Sequence, residues 1–313
     1  MEKLIVSTSP HFKHKDTTQR IMLDVLIALT PAAVMAVVLF GLRALLILGV
    51  CIVTSVGAEA LFNLATHKKQ TVSDLSAAVT GTLLALSLPV TVTVWQCIVG
   101  ALFAIVVVKC MFGGIGSNFA NPAVTARVLL LISFTGSVAG GTVPTLVTDI
   151  VTGATPLDAI KNGEAVSELP SLLDMLLGLR GGAIGEVCAV ALIIGFIYLM
   201  IRRVVSWHAT AGVVITVFLL SLIVYKDVTL ALYQVLGGGL LLGAFFMVTD
   251  YSTTPLNKLG KLVFGIGVGL ITVLIRTLGN YPEGISYAIL LMNILSPYIE
   301  KLCARRPFGK AGK

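Results

Sequence analysis

A chain of 313 residues that is 57% hydrophobic and only 12% charged, with a mean hydropathy of +0.99, has too little polar surface to cover a water-soluble globule. The composition is that of a polytopic membrane protein. The formal charge of +7 does not point to nucleic acid, because the basic residues lie between apolar runs, where they orient a chain in a bilayer.

Residues 1–20 are polar, and the apolar run that follows has no small-residue cleavage site, so it reads as a span and not as a cleaved signal. Apolar segments then fall at about 21–40, 44–64, 74–89, 94–112, 122–134, 184–201, 209–225, 229–248, 261–278 and 286–302, which makes ten transmembrane helices, several of them short. With the N-terminus inside, seventeen Lys and Arg residues lie on the cytoplasmic side and five, Arg43, Lys161, Arg180, Lys226 and Arg276, lie opposite. Both termini are therefore expected to be cytoplasmic. The fifth segment is the weakest, since Arg127 interrupts it; the charge count favours a broken helix with Arg127 reaching the inner interface.

An internal repeat runs through the segments. The stretch GTLLALSLP from Gly81 opens a pattern of helix end, proline, apolar helix, Gly/Asn/Pro loop and helix. A similar pattern opens at Gly243 and runs through Pro255 and the loop 279–284. Five helices per copy is an odd number, which inverts the second copy in the membrane. The expected fold is an all-α integral membrane protein: cytoplasmic segment 1–20, first five-helix repeat 21–134, extracytoplasmic loop 135–183, second five-helix repeat 184–302 and cytoplasmic tail 303–313. The competing reading is that Gly and Pro are simply frequent in membrane helices.

The long loop holds Asp149, Asp158, Glu164, Glu168 and Asp174 against Lys161 and Arg180, an acidic balance that suits an outer face. Within it, Thr155-Pro156-Leu157-Asp158 has an N-cap threonine, proline at the first helical position and an acid at the third, which opens a short helix through Ile160. Capping does not account for Asp149 or for the approach Thr152-Gly153-Ala154. The pattern Asp-x-x-(Ser/Thr)-Gly-Ala-Thr resembles the acceptor motif for covalent flavin attachment, in which a flavin transferase moves the FMN part of FAD onto the last threonine hydroxyl as a phosphoester. Small neighbours would let the transferase reach Thr155, and a phosphate esterified there would lie at the positive end of the helix.

Polar residues inside apolar runs are further candidates, because a charge carried into lipid costs about 2.5–3.5 kcal/mol even on lenient insertion scales. Asp24 and Glu59 are read as ion-pathway residues; the alternative is a structural role near helix ends, with Arg20 and Lys68 within reach. Asp250 lies at a helix terminus. Asn118 and Asn121 offer contacts to a flavin ring edge or an ion, or a cap for the helix that starts at Pro122. His11 and His208 have no partner at metal spacing, so no metal site is expected. The five cysteines contain no C-x-x-C pair, which implies neither a disulfide framework nor an iron–sulfur site.

The acceptor motif lies between two five-helix halves. Together with Ser9-Pro10-His11, the run GSNFANPA at 116–123 and the run YPEGISYAILLMN at 281–293, it resembles the D subunit of the Rnf electron-transport complex over essentially the whole chain. A related family, the B subunit of the Na+-translocating NADH:quinone reductase, carries a longer N-terminal extension, and the short start here favours Rnf. The resemblance implies a multi-pass subunit of the bacterial inner membrane in a complex that passes electrons between ferredoxin and NAD+ and couples this to Na+ or H+ movement. It implies FMN on Thr155, riboflavin held non-covalently, and maturation by a flavin transferase. It also implies partnership with the A, B, C, E and G subunits of Rnf, which supply the nucleotide and iron–sulfur sites, and with membrane lipids. The ten-helix plan resembles urea and ammonium channels as well, and in that alternative Thr155 is an ordinary cap.

Overall fold

The computed structural model describes residues 17–139, 141–143, 151–153, 155–162, 169–186, 188–279 and 283–304. Each of the ten expected segments contains helix: α1 (Thr18–Phe40), α2 (Leu42–Ala65), α3 (Ser76–Ser87), α4 (Val94–Cys110) and α5 (Pro122–Ser133), then, after the long loop, five further segments. In the loop a short antiparallel ribbon pairs β1 (Gly141–Val143) with β2 (Val151–Gly153), Thr142 opposite Thr152. It is followed by α6 (Pro156–Lys161) and α7 (Leu172–Leu177). The later segments are α8 (Ala189–Ile201), α9 (Trp207–Tyr225), α10 (Val228–Leu236) with α11 (Leu240–Met247), α12 (Lys258–Leu278) and α13 (Ile285–Cys303).

Only part of this meets the length a bilayer demands. Among the described residues, α1, α2, α9 and α12 are long and apolar enough to cross a membrane, and α10 with α11, bent by 60°, makes a fifth when the pair is one span. The ribbon is an exception to the all-α expectation. Large apolar side chains stay exposed at helical spacing, such as Leu23, Ile27, Val34 and Val38 on α1 and Val263, Ile266, Leu270 and Leu274 on α12. So much contiguous apolar surface is costly in water and at rest in lipid. The chain is an integral, multi-pass membrane protein.

Backbones approach closely at glycine. A Cβ placed on Gly265 would overlap the Ala209 carbonyl oxygen, and one on Gly195 would overlap that of Ala28. Such contacts lock α12 to α9 and α8 to α1, the usual means by which helices associate where apolar burial supplies no driving force.

Of the helices too short to cross, α3 and α10 end in carbonyls that find donors elsewhere in the chain. Past α3, Leu86 and Leu88 accept from the amides of Gly185 and Ile184 at 2.7 and 2.9 Å. Past α10, the chain turns through Gly237, Gly238 and Gly239, the last two at φ +65°, where a side chain would be strained. There the carbonyls of Gln234, Leu236 and Gly237 are taken by arginines: Arg276 reaches Gln234 and, at 3.0 Å, Gly237, and Arg180 reaches Leu236 at 2.7 Å.

Candidate functional site

Thr155 caps α6 as its sequence predicts. Its Oγ1 accepts from the Asp158 amide at 3.2 Å and donates to Asp158 Oδ2 at 2.6 Å, while the Thr155 amide donates back to the same carboxylate at 3.1 Å. The helix is pinned to the bundle: Ala159 and Ile160 pack with Leu169, Met175 and Tyr233. Leu157 lies against Gly237 and Gly238. Thr155 is consequently only 4% exposed, so the small neighbours do not leave its hydroxyl open to another protein in this conformation. The sequence supplies the cap but not the packing that covers it. Of the other motif residues, Thr152 and Gly153 lie on β2, and Asp149 and Ala154 lie outside the described residues.

Asn118 and Asn121 come together with residues no local pattern connects to them. They line an open pocket between the start of α1, the start of α3, the end of α4, the end of α8 and the loop after α11. Met22, Val25, Val79, Leu83, Leu199 and Phe246 form apolar walls, and Lys109, Asn118, Asn121 and Asp250 bring polar groups. Asn121 caps α5, its Oδ1 accepting from the Ala123 and Val124 amides at 3.0 and 3.3 Å, and its Nδ2 faces Asp250 Oδ2 at 3.4 Å. The side-chain oxygen of Asn118 is buried without a partner. Burial pushes the Asp250 carboxyl above the usual carboxylate range, against hydrogen bonds from Ser252 and Thr253 that pull it down.

The two acids expected in an ion pathway are both buried, and both have partners other than those anticipated. Glu59 accepts from Lys109 Nζ at 2.8 Å and from Thr71 at 2.7 Å, and Lys109 also donates to Ser76. Lys68 instead lies over the Phe62 ring. Asp24 pairs with Arg202 at 3.0 Å and accepts from Tyr198 at 2.9 Å, bridging α1 to the end of α8. Arg127, expected to reach the inner interface, is enclosed by protein. It is 2% exposed and pairs with Glu283, which supplies the countercharge that a buried cation needs. Cys51, Cys97, Cys110 and Cys188 are buried free thiols. His208 stacks on Trp207, and His11 lies outside the described residues.

Lys109 is the member that sequence reading missed. It sits fifty residues from Glu59, and its only signal was a lone cation at the end of an apolar run facing a lone acid in another.

Comparison with known proteins decides the kinship. Residues 5–309 match the NQR2, RnfD, RnfE family. The chain belongs to this family. Among its relatives, the D subunit of the Na(+)-translocating ferredoxin:NAD(+) oxidoreductase complex of Acetobacterium woodii is 45% identical over 98% of this chain and 95% of its own length. The D subunit of the proton-translocating ferredoxin:NAD(+) oxidoreductase complex of Clostridium ljungdahlii is 34% identical, over 97% of this chain and 96% of the relative. That of the ion-translocating oxidoreductase complex of Ectopseudomonas mendocina is 34% identical, over 96% and 95%. These NQR2, RnfD and RnfE relatives span the chain nearly end to end, so the cavity, the Lys109–Glu59 pair and the capped Thr155 all lie within the shared region.

Proposed function

We propose that this chain is the D subunit of a ferredoxin:NAD+ oxidoreductase complex, carrying FMN as a phosphoester on Thr155 and a second, non-covalent flavin, riboflavin, in the cavity at Asn118 and Asn121. The observation that carries the reading is the acceptor pattern ending at Thr155 in a chain with end-to-end kinship to such subunits. When bound, the flavins supply two-electron chemistry, which this chain's side chains lack. Ferredoxin and NAD+ would be handled by the A, B, C, E and G subunits of Rnf, and a flavin transferase would carry out the attachment.

The cavity fits a planar heteroaromatic group. Its walls are apolar, and its few polar groups include the partnerless Asn118 oxygen. Asn118, Asn121 and Lys109 would hold the ring edge, and Asp250 would keep Asn121 oriented. The cavity draws its second side from the loop at 249–252. Acid precipitation of the purified complex is expected to release riboflavin into the supernatant while FMN stays with the pellet. An active complex with no extractable flavin would move the second centre to a partner protein of the complex.

The charge split supports placing both termini in the cytoplasm, the loop 135–183 outside and the protein in the bacterial inner membrane, with halves 21–134 and 184–302 inverted. Corresponding packing supports the repeat: α2 packs on α3 and α4 as α9 packs on α10 and α12. In intact cells, a cysteine placed at the exposed Asn162 is expected to react with a membrane-impermeant maleimide. Labelling only in inverted vesicles would reverse the topology. Coupling to Na+ or H+ would use the buried acids Asp24 and Glu59, each held by a cation whose displacement frees a carboxylate in the interior.

A further inference from the structure

The arginines at the α10–α11 break are left incompletely satisfied. Arg127, Arg180 and Arg276 are 2%, 2% and 4% exposed, and around them lie two carboxylates, Glu186 and Glu283. Arg180 gives one nitrogen to the Glu186 and Leu236 carbonyls, and Arg276 gives two to Gln234 and Gly237. Among the described residues, four of their nitrogens have no acceptor: Arg180 Nε and Nη1, Arg127 Nε and Arg276 Nε. Buried charged donors are rarely orphaned, because the desolvation penalty is not returned. Among the described residues, three cations face two acids, which leaves the cluster one negative charge short and without oxygens to accept these hydrogens.

The position of the cluster indicates the source of that charge. Leu157, two residues beyond Thr155, lies against the same glycines that the arginines hold. A Cβ on Gly238 would overlap Leu157 Cδ1 and fall 2.8 Å from Arg276 Nη2. The Leu157 side chain of the Thr155 helix and the Arg276 guanidinium therefore flank the same glycine. The partnerless Glu186 oxygen is on the other flank, 3.0 Å from where a Gly239 Cβ would sit and near Arg127.

We infer that Arg180 and Arg276, with Arg127 behind them, form a buried seat for a phosphate-class anion, occupied by the phosphodiester attached at Thr155. Guanidinium forks match phosphate oxygens in a way a single ammonium does not. This inference rests on the flavin reading of Thr155 and adds to it the residues that neutralise the linkage. Seating the anion would stabilise the folded chain, so flavin attachment itself should raise its thermal midpoint.

The test compares complex purified from cells with and without the flavin transferase, for the wild type and for Arg180→Gln. Flavinylation is expected to raise the wild-type midpoint by roughly 3–6 °C and that of Arg180→Gln by far less, although the variant still fluoresces after denaturation. Should Arg180→Gln not accumulate in the membrane, Arg180→Lys, which keeps the charge without the fork, is expected to show a smaller increment than the wild type. Equal increments in fluorescent wild type and variant would overturn the seat and leave the flavin reading standing. No fluorescence in the matured wild type would overturn both.

Discussion

Thr155→Val is expected to abolish the flavin fluorescence that survives denaturation, while the protein remains in the membrane. The hydroxyl is the only group at this position that can form the ester, so the loss should be complete and not graded. Valine keeps the shape and removes the Oγ1 that accepts from the Asp158 amide and donates to its carboxylate. A lost cap costs about 1 kcal/mol, which a helix held by Ala159, Ile160 and Leu157 can bear. Thr152→Ala should have a smaller effect, since Thr152 would aid recognition without carrying the bond. A fluorescent Thr155→Val band on a denaturing gel would place the attachment elsewhere.

The second large effect is expected at Lys109. Replacing it by methionine leaves Glu59 2% exposed with no cation beside it, and breaking one side of a buried pair costs on the order of 3–5 kcal/mol. The Thr71 hydroxyl would still donate to the carboxylate, but a neutral hydrogen bond does not replace a countercharge. Glu59→Gln together with Lys109→Met should recover most of the loss, because the double variant buries no ion. Thermal midpoints of the four forms read the coupling directly. Additive penalties would show that the two side chains do not act as a pair. Because Lys109 also lines the cavity, the single variant should retain less extractable riboflavin than the wild type.

The helices were legible because membrane helices are written as apolar runs, and every expected segment contains one. What the runs conceal is where a helix stops inside them. Residues 229–248 read as one span, yet Gly237-Gly238-Gly239 breaks it, and those three glycines were the available signal. The capping pattern at Thr155 was legible because its partners lie within three residues. Its burial was not, because Tyr233 and Gly238 arrive from the other half of the chain. The ion pairs failed for the same reason. Arg20 and Lys68 were near in sequence, whereas the cations that pair with Asp24 and Glu59 come from helices 178 and 50 residues away. Arg276 and Arg180 could have been suspected as charges in or beside apolar segments, but the carbonyls they hold exist only once the break is known.

The covered hydroxyl of Thr155 sets an order of events. With its Oγ1 bound to Asp158 and α6 pressed against α10 and the glycine turn, the finished fold offers a modifying enzyme nothing to grip. Attachment at this residue would therefore belong to an earlier stage, while the loop still stands away from the bundle, or to a moment when it lifts. The ester would also displace the proton that Asp158 now receives, so the loop that settles afterwards cannot be the loop that would have settled without it. Folding and modification are in that sense a race for the same residue, and a chain whose loop closes first would have to reopen before it could mature.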